Sequence, residues 1–573
     1  MQLRDAPEHA AFVLDRAQRL SAGTSAPSAL AKREQARWDR ALQSLPGLRL
    51  ARRDAVGASA QRLLFDHSLS HDQAQALAVR LAALPEVAWA VPATREQRAQ
   101  AAPNLPNDPY FAGFNQQWWL QRVQGSDGLP LDQRLRGVAG FETAWIQQTA
   151  GSSGARAAVA VLDSGVTPHP ELSGRLLPGY DMVSDSVYAN DGDGRDADPS
   201  DPGDWVDAAD RTKDPARFGS CIDEPSSWHG TAIAGMLGGA TDNGAGTAAT
   251  NWRTPVLPVR VAGKCGAEVG DIVDGMRWAA GLDVCKRSDT AGNCVEMAPR
   301  NANPVKVVSI SFGGTGDCAP YQSAIDELRR IGVVITAAAG NEWTTPTRPA
   351  KCPGVVGVVA LNRDGFKTNY SNFGTELTAS GIATVGGDDD DPTARWSALA
   401  DSGLLAIGNT GSTVPAAADY FFYYGTSFST PIAAGAVSLM LSVNPGLSYD
   451  QIVQGLRVSA RPHVRSTLPG VQACSASNPG RCLCTTATCG AGILDVVQAL
   501  IYARDPAAYV VPARSGEVID AADLRVAAAL GPDRPPNSSG GGAVSGGGGG
   551  GVAGGSWLAA LALAALALAR RRR

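Results

Sequence analysis

The sequence is short of positive charge. Lys and Arg number 50 against 55 Asp and Glu, a net charge of -5 at pH 7, and the one dense basic run is Arg570 to Arg573. With no basic field to neutralise phosphates, nucleic acid is not an expected partner. Histidine is scarce as well, six in 573 residues, so any imidazole chemistry has few candidates. No cysteine precedes Cys221, yet ten lie from there on. An even number confined to one part of the chain points to disulfides and an oxidising compartment. Export needs a leader, but Met1 to His9 carries no apolar stretch, so the signal peptide is expected upstream of this start. What the chain does have is a globular balance, 44% hydrophobic and 18% charged, over a length that implies two or more domains.

The stretch from Tyr424 to Gly435 organises the reading. It sets the hydroxyl of Ser427 just after Gly425 and Thr426, at the mouth of a small and apolar helix that runs to the stop signal Asn444-Pro445-Gly446. Free N–H groups at a helix start favour developing negative charge, which suits a nucleophile and its oxyanion. Pro431 is read as lying in the first turn, where a missing N–H costs little. A serine-rich helix cap has the same composition, so the partners decide.

Residues 40–95 read as a small α+β unit: short strands at Leu48 and Arg62, a helix opened by Ser70 and Gln73 and running to Leu84, and a strand from Val87 to Val91. Ala93 to Asn107 follows without periodicity, as a linker open to cleavage. Beyond it, continuous apolar strands at 156–163, 305–310, 333–337 and 355–361 alternate with helices. That is the pattern of a parallel α/β sheet buried on both faces, with polar residues gathered at the strands' C-terminal ends. Asp163 ends the first of these. His229 opens a helix, and of the three histidines after the linker it is the natural base, because His169 lies between prolines and His463 in a late loop. Asn341 ends another strand, where its amide is able to donate to an oxyanion or simply to form a turn after Gly340. Ser311, Phe312, Gly313 and Gly314 end a fourth and offer an extended edge to a peptide.

Asp163-Ser-Gly, His229-Gly-Thr, Ala338-Ala-Gly-Asn341 and Gly425-Thr-Ser-Phe-Ser-Thr-Pro431 stand in the order and setting of one family, so the chain resembles the subtilisin-like (subtilase) serine peptidases. The resemblance covers roughly 107–503. It implies a three-layer α/β catalytic domain on a doubly wound parallel sheet, a Ser427–His229–Asp163 triad working through an acyl-enzyme, Asn341 as oxyanion donor, and protein or peptide substrates. A pocket around Ser311 to Gly314, Ala339 and Gly340 would receive the substrate side chain. The implied domains are a propeptide at 1–105, acting as the enzyme's own inhibitory partner, then a catalytic domain at 106–505 and a connector at 506–536. A sorting tail at 537–573 completes them. In this inferred fold Cys221 neighbours Cys265, Cys285 neighbours Cys294 and Cys318 neighbours Cys352. Two more bridges are expected among Cys474, Cys482, Cys484 and Cys489 in an open order, with zinc as the alternative for that cluster. Ala232 departs from the family, standing where many relatives have a second histidine. An inert subtilase-like binding domain on the cell envelope is the rival reading.

Two segments add to this. The insertion Asp191 to Asp204 alternates carboxylates with glycines, a supply of hard oxygen ligands that suits calcium, with Asp191, Asp193, Asp196 and Asp198 as the candidate ligands. A solvated acidic loop has the same composition. At the end, a glycine tract, the apolar run Trp557 to Ala569 and four arginines follow in order. The order resembles glycine-glycine C-terminal sorting signals, which implies a membrane helix that holds the protein facing outward until a rhomboid-type protease cuts it. A permanent anchor is the alternative.

Overall fold

The structure is a computed structural model that describes residues 1–530 except 6–10, 12–14, 16–20, 22–25, 44–47, 68, 70, 94–104, 113–115, 124–134, 149–156, 390 and 392–394. The chain divides into two compact units, Met1–Ala102 and Pro103–Arg573. Most of the expected linker and the whole sorting tail, including Trp557 to Arg573, lie outside the described residues.

The first unit is α+β. A hairpin pairs Leu50–Val56 with Ala60–Phe65, and Gln2–Leu3 pairs antiparallel with Val87–Trp89. Helices Ala29–Gln43 and His71–Ala82 complete it around a small core of Leu3, Trp38, Leu77, Leu81 and Val87. The unit thus includes residues well before the stretch that the apolar pattern marks, because the helix before residue 44 buries only Glu34, Trp38 and Ala41.

The second unit is built on a seven-stranded sheet, all of it parallel. Numbered along the chain, its strands are β1 Val159–Asp163, β2 Tyr180–Asp181, β3 Val256–Arg260, β4 Val307–Ile310, β5 Val334–Ala338, β6 Val355–Leu361 and β7 Ile382–Val385. Their spatial order is β7-β6-β5-β4-β1-β3-β2. Side chains alternate between two cores, as the two-residue period of a strand requires: Val159 and Val161 enter one, Ala160 and Leu162 the other. Helices α1 His229–Gly238 and α4 Thr426–Val443 cover the first face, and α2 Val269–Ala279 and α3 Ala319–Arg330 cover the second. Helices on both faces make the three layers of a doubly wound fold. The chain proceeds from β1 to β2 and β3 on one side and then returns to β4 on the other. That reversal opens a crevice at the C-terminal ends of β1 and β4, where such sheets place their ligands.

Helix α4 is long and apolar enough to cross a membrane, but 83% of it is buried within the fold, so its apolarity is that of a core helix. Residues 506–530 are more ordered than a connector. Val518–Ile519 pairs with Arg465–Ser466, and Ile519, Val526 and Leu530 join a third core. Asp523, 1% exposed, pairs with the buried Arg136 at 2.7 Å. This long-range ion pair ties the segment to the body of the second unit, and neither charge stands out from sequence alone.

Candidate active site

Strand β1 delivers Asp163 to the crevice and α1 delivers His229 as its first residue. His229 Nδ1 lies 2.8 Å from Asp163 Oδ1, which also accepts the Ser164 N–H at 2.8 Å. The contact fixes the imidazole tautomer, leaving Nε2 for a reacting group. Burial works against the imidazolium, but the Asp163 carboxylate, helped by Asp204 and Asp201, outweighs it and raises the His229 pKa above its ordinary value. The ring packs edge-on to Phe312 and Phe428, with centroids at 5.8 and 5.4 Å, so apolar surface shields it from water.

Ser427 is the second residue of α4 and is partly exposed, whereas its neighbours Thr426 and Phe428 are fully buried. Its Oγ donates to the Ser311 carbonyl at 3.2 Å and, among the described residues, makes no bond to His229. Hydrogen bonds of a resting site commonly tighten only when substrate arrives. Pro431 lies beyond the first turn, at the sixth helical position, so its missing N–H deprives the Ser427 carbonyl of its helical partner. Ser311 Oγ donates to that carbonyl at 2.9 Å in its place. The residue that follows β4 thus props the helix at Ser427.

Asn341 follows β5. Its Oδ1 accepts the Thr426 N–H at 2.9 Å and the Thr426 hydroxyl at 2.8 Å, which fixes the amide's orientation and leaves Nδ2 as donor. A Cβ on Gly425 would stand 3.6 Å from that Nδ2, so the amide borders the nucleophile's turn. Ser311 to Gly314 and Ala339 to Gly340 continue adjacent strands, as the two segments expected to wall a substrate cleft. Both walls close on Thr347: a Cβ on Gly313 would meet its Oγ1 at 2.3 Å and one on Gly340 its Cγ2 at 3.0 Å. Thr347 is a contact that sequence reasoning missed, since it follows the cleft wall by seven residues of loop.

The family model for subtilases matches residues 154–478, more than half of the chain. The chain belongs to the subtilase family. This subtilase is 34% identical over 454 residues to the extracellular protease of Xanthomonas campestris pv. campestris, covering 78% of this chain and 65% of that one. It is 33% identical over 342 residues to the extracellular basic protease of Dichelobacter nodosus, covering 59% and 48%. It thus spans less than two thirds of either relative. Among solved structures, a chain described as proteases from Pseudoalteromonas arctica PAMC 21717 matches 70% of it and 99% of its own length, at 34% identity and a TM-score of 0.54.

The four aspartates expected to bind calcium do not converge in this subtilase. Among the described residues no three of them bring carboxylate oxygens within 4.8 Å of one another. The reason is local. Asp191 accepts from the Asp193 N–H at 3.2 Å, Asp196 from Asp198 at 2.8 Å and Asp198 from Ser200 at 3.0 Å, turns that aim successive carboxylates apart. Asp191 is also engaged by the buried Arg260. Elsewhere two other carboxylates are buried with unpartnered oxygens. Asp108 and Glu171 are 0% and 1% exposed, and each keeps one carboxylate oxygen with no hydrogen-bond partner. Among the described residues neither forms a salt bridge. Burial pushes the pKa of both up, that of Glu171 to about 7 with Asp108 contributing. Two buried carboxylates without a counter-charge suit a hard cation.

All ten cysteines are bridged: Cys221–Cys265, Cys285–Cys294, Cys318–Cys352, Cys474–Cys482 and Cys484–Cys489. The Sγ atoms of Cys474, Cys484 and Cys489 lie within 4.8 Å of one another, but both bridges consume them, so no thiolate remains for zinc.

Proposed function

We propose that the chain is a serine endopeptidase. Ser427 attacks the scissile carbonyl while His229 takes its proton, Asp163 holds the imidazole and stabilises its cation, and Asn341 Nδ2 with the Ser427 N–H binds the oxyanion. The proton then passes from His229 to the leaving amine, and water repeats the cycle to release the acyl group. The observation that carries this reading is the Asp163–His229 hydrogen bond, formed beside a helix whose first turn holds Ser427. To act as the nucleophile the Ser427 hydroxyl must leave the Ser311 carbonyl, to which it donates at 3.2 Å.

The same reading makes residues 1–105 a propeptide that assists folding and blocks the cleft until the linker is cut, with 106–505 as the catalytic core. It also makes the protein secreted or held at the envelope through the 537–573 tail until a rhomboid-type protease releases it. The extracellular relatives and the five disulfides support export. Calcium would be held by Asp108 and Glu171, where it supplies the counter-charge that locks residues 107–112 against the 242–247 loop.

A fluorophosphonate probe tests the activity. It should label the full chain but not Ser427→Ala. With a peptide substrate, Ser427→Ala and His229→Ala should each lower kcat by several orders of magnitude, and Asn341→Ala by about 10²–10³ with KM little changed. Near-normal turnover in His229→Ala, or no labelling of the wild type, would leave an inert binding domain as the better description.

A further inference from the structure

The last two aspartates of the acidic insertion reach the segments that carry the catalytic pair. Helix α1 begins with His229, and the residue before it, Trp228, is left-handed at φ 50° and gives the helix no side-chain cap. The first N–H groups of a helix have no partner within it and need one from outside. Two serines supply it here. Ser227 Oγ lies 3.3 Å from the His229 N–H and Ser164 Oγ lies 3.1 Å from the Gly230 N–H. A hydroxyl accepts well in one direction only if its proton is drawn off in another. Asp204 does this for Ser227, taking the hydroxyl at 2.6 Å and the Ser227 N–H at 2.7 Å. Asp201 does it for Ser164, taking the hydroxyl at 2.7 Å.

The two relays are parallel, and that of Asp201 and Ser164 is enclosed while Asp204 and Ser227 are partly exposed. Asp201 and Ser164 are 2% and 1% exposed. The backbone of the insertion is stitched to the turn after Asp163: Val166 N–H donates to Pro199 O and Asp201 N–H to Val166 O, at 3.1 and 3.0 Å. No side chain fits between these segments. A Cβ on Gly165 would come within 2.6 Å of Pro199 O, and one on Gly230 within 2.2 Å of Gly165 O. Gly203, at φ 108°, makes the turn that separates the two carboxylates, and its N–H donates to Asp201 Oδ1 at 2.9 Å.

We propose that Asp201 and Asp204 are positioning residues for His229, each orienting a serine hydroxyl that fixes the start of the helix carrying the imidazole. The inference rests on the peptidase reading for its catalytic consequence, though not for its geometry. Asp163 from the sheet bonds the imidazole directly, the charges of Asp201 and Asp204 in the insertion act on it through space, and all three favour its cation. They oppose both burial and the positive end of the helix dipole.

The test has two arms. In the full chain carrying Ser427→Ala, which cannot digest itself, the His229 ring is titrated by NMR with ¹⁵N-labelled histidine. Asp201→Asn and Asp204→Asn should each move its midpoint to lower pH, whereas Asp193→Asn, in the same insertion but outside both relays, should not. In the active chain, Asp201→Ala and Ser164→Ala should lower kcat roughly ten- to a hundredfold with KM nearly constant, and Ser164→Thr, which keeps a hydroxyl, should recover most of it. Asp204 is partly exposed, so Asp204→Asn keeps the test open if the buried Asp201 variants fold poorly. Unmoved midpoints in both Asn variants of an active enzyme overturn the proposal. A wild type with no peptidase activity whose midpoints nonetheless shift overturns the peptidase reading and upholds the relays.

Discussion

At the scale of single residues, the site shows what a motif carries and what it omits. Asp163, His229, Asn341 and Ser427 are legible because each is marked by its immediate neighbours: a buried apolar strand ending in a polar residue, or a glycine turn before a small-residue helix. Asp201 and Asp204 belong to the same machinery and are not legible, because their partners Ser164 and Ser227 lie 37 and 23 residues away in sequence. Composition reports the number of carboxylates in the insertion but not their direction, which is why a calcium loop and a set of helix-capping relays look alike on paper. Pro431 is a similar case. Its place in a helix can be guessed, but the hydroxyl that replaces its lost bond comes from Ser311, on a strand more than a hundred residues earlier.

Another buried histidine gives a prediction at this scale. His463 is 7% exposed, its Nε2 lies 3.3 Å from the Gly490 carbonyl and its Nδ1 has no partner. Burial lowers its pKa to about 4. The unfolded chain, with an ordinary value near 6.5, therefore binds the proton more readily between these limits. Stability contributed by the neutral ring is full above about pH 6.5 and is lost as pH falls to about 4, by about 3 kcal/mol. His463→Gln, which keeps a donor but does not titrate, should flatten that part of the stability–pH curve. Denaturant midpoints of the two proteins at pH 7 and pH 4.5 measure the difference, and equal slopes would count against a buried neutral ring.

At the scale of elements, strands were easier to read than the segments that join them. Continuous apolar runs fixed β1, β4, β5 and β6 to within three residues, because a strand buried on both faces leaves no room for polar side chains. The helix Ala29–Gln43 escaped because its buried face is thin, and residues 514–530 escaped because their few core side chains, Ile519, Val526 and Leu530, are widely spaced and the Asp523–Arg136 pair joins distant parts of the chain. The bridges differ in the length of chain they close, from 44 residues for Cys221–Cys265 to 5 for Cys484–Cys489. On loop-closure entropy alone, replacing the first pair by serines should cost about 4 kcal/mol and the second about 2 kcal/mol. Thermal unfolding of the two double variants checks that order. A larger loss from the short loop would mean that native packing of Cys484 and Cys489, both buried, outweighs chain entropy there.

At the scale of the whole molecule, Asp108 lies near the start of the second unit and Glu171 further into it, and a cation held between them would bind only the folded chain. Adding calcium in hundredfold excess over its Kd should then stabilise the protein by about 2.7 kcal/mol relative to the chelated form. Glu171→Gln should abolish the calcium dependence of Tm, whereas Asp193→Asn should leave it intact. If chelator changes Tm equally in the wild type and in Glu171→Gln, the cation sits elsewhere.

The bridges also share an order: every cysteine is bonded to the next one along the chain, with no crossing and no nesting. A polypeptide that emerges from a pore N-terminus first presents its thiols one at a time, and each finds its proper mate in the next to arrive. An oxidant that simply joins cysteines as they appear produces the native set without any later exchange of partners. Such a chain needs an oxidase and has no use for a disulfide isomerase, so its yield from an oxidising compartment should be the same whether or not the host possesses one.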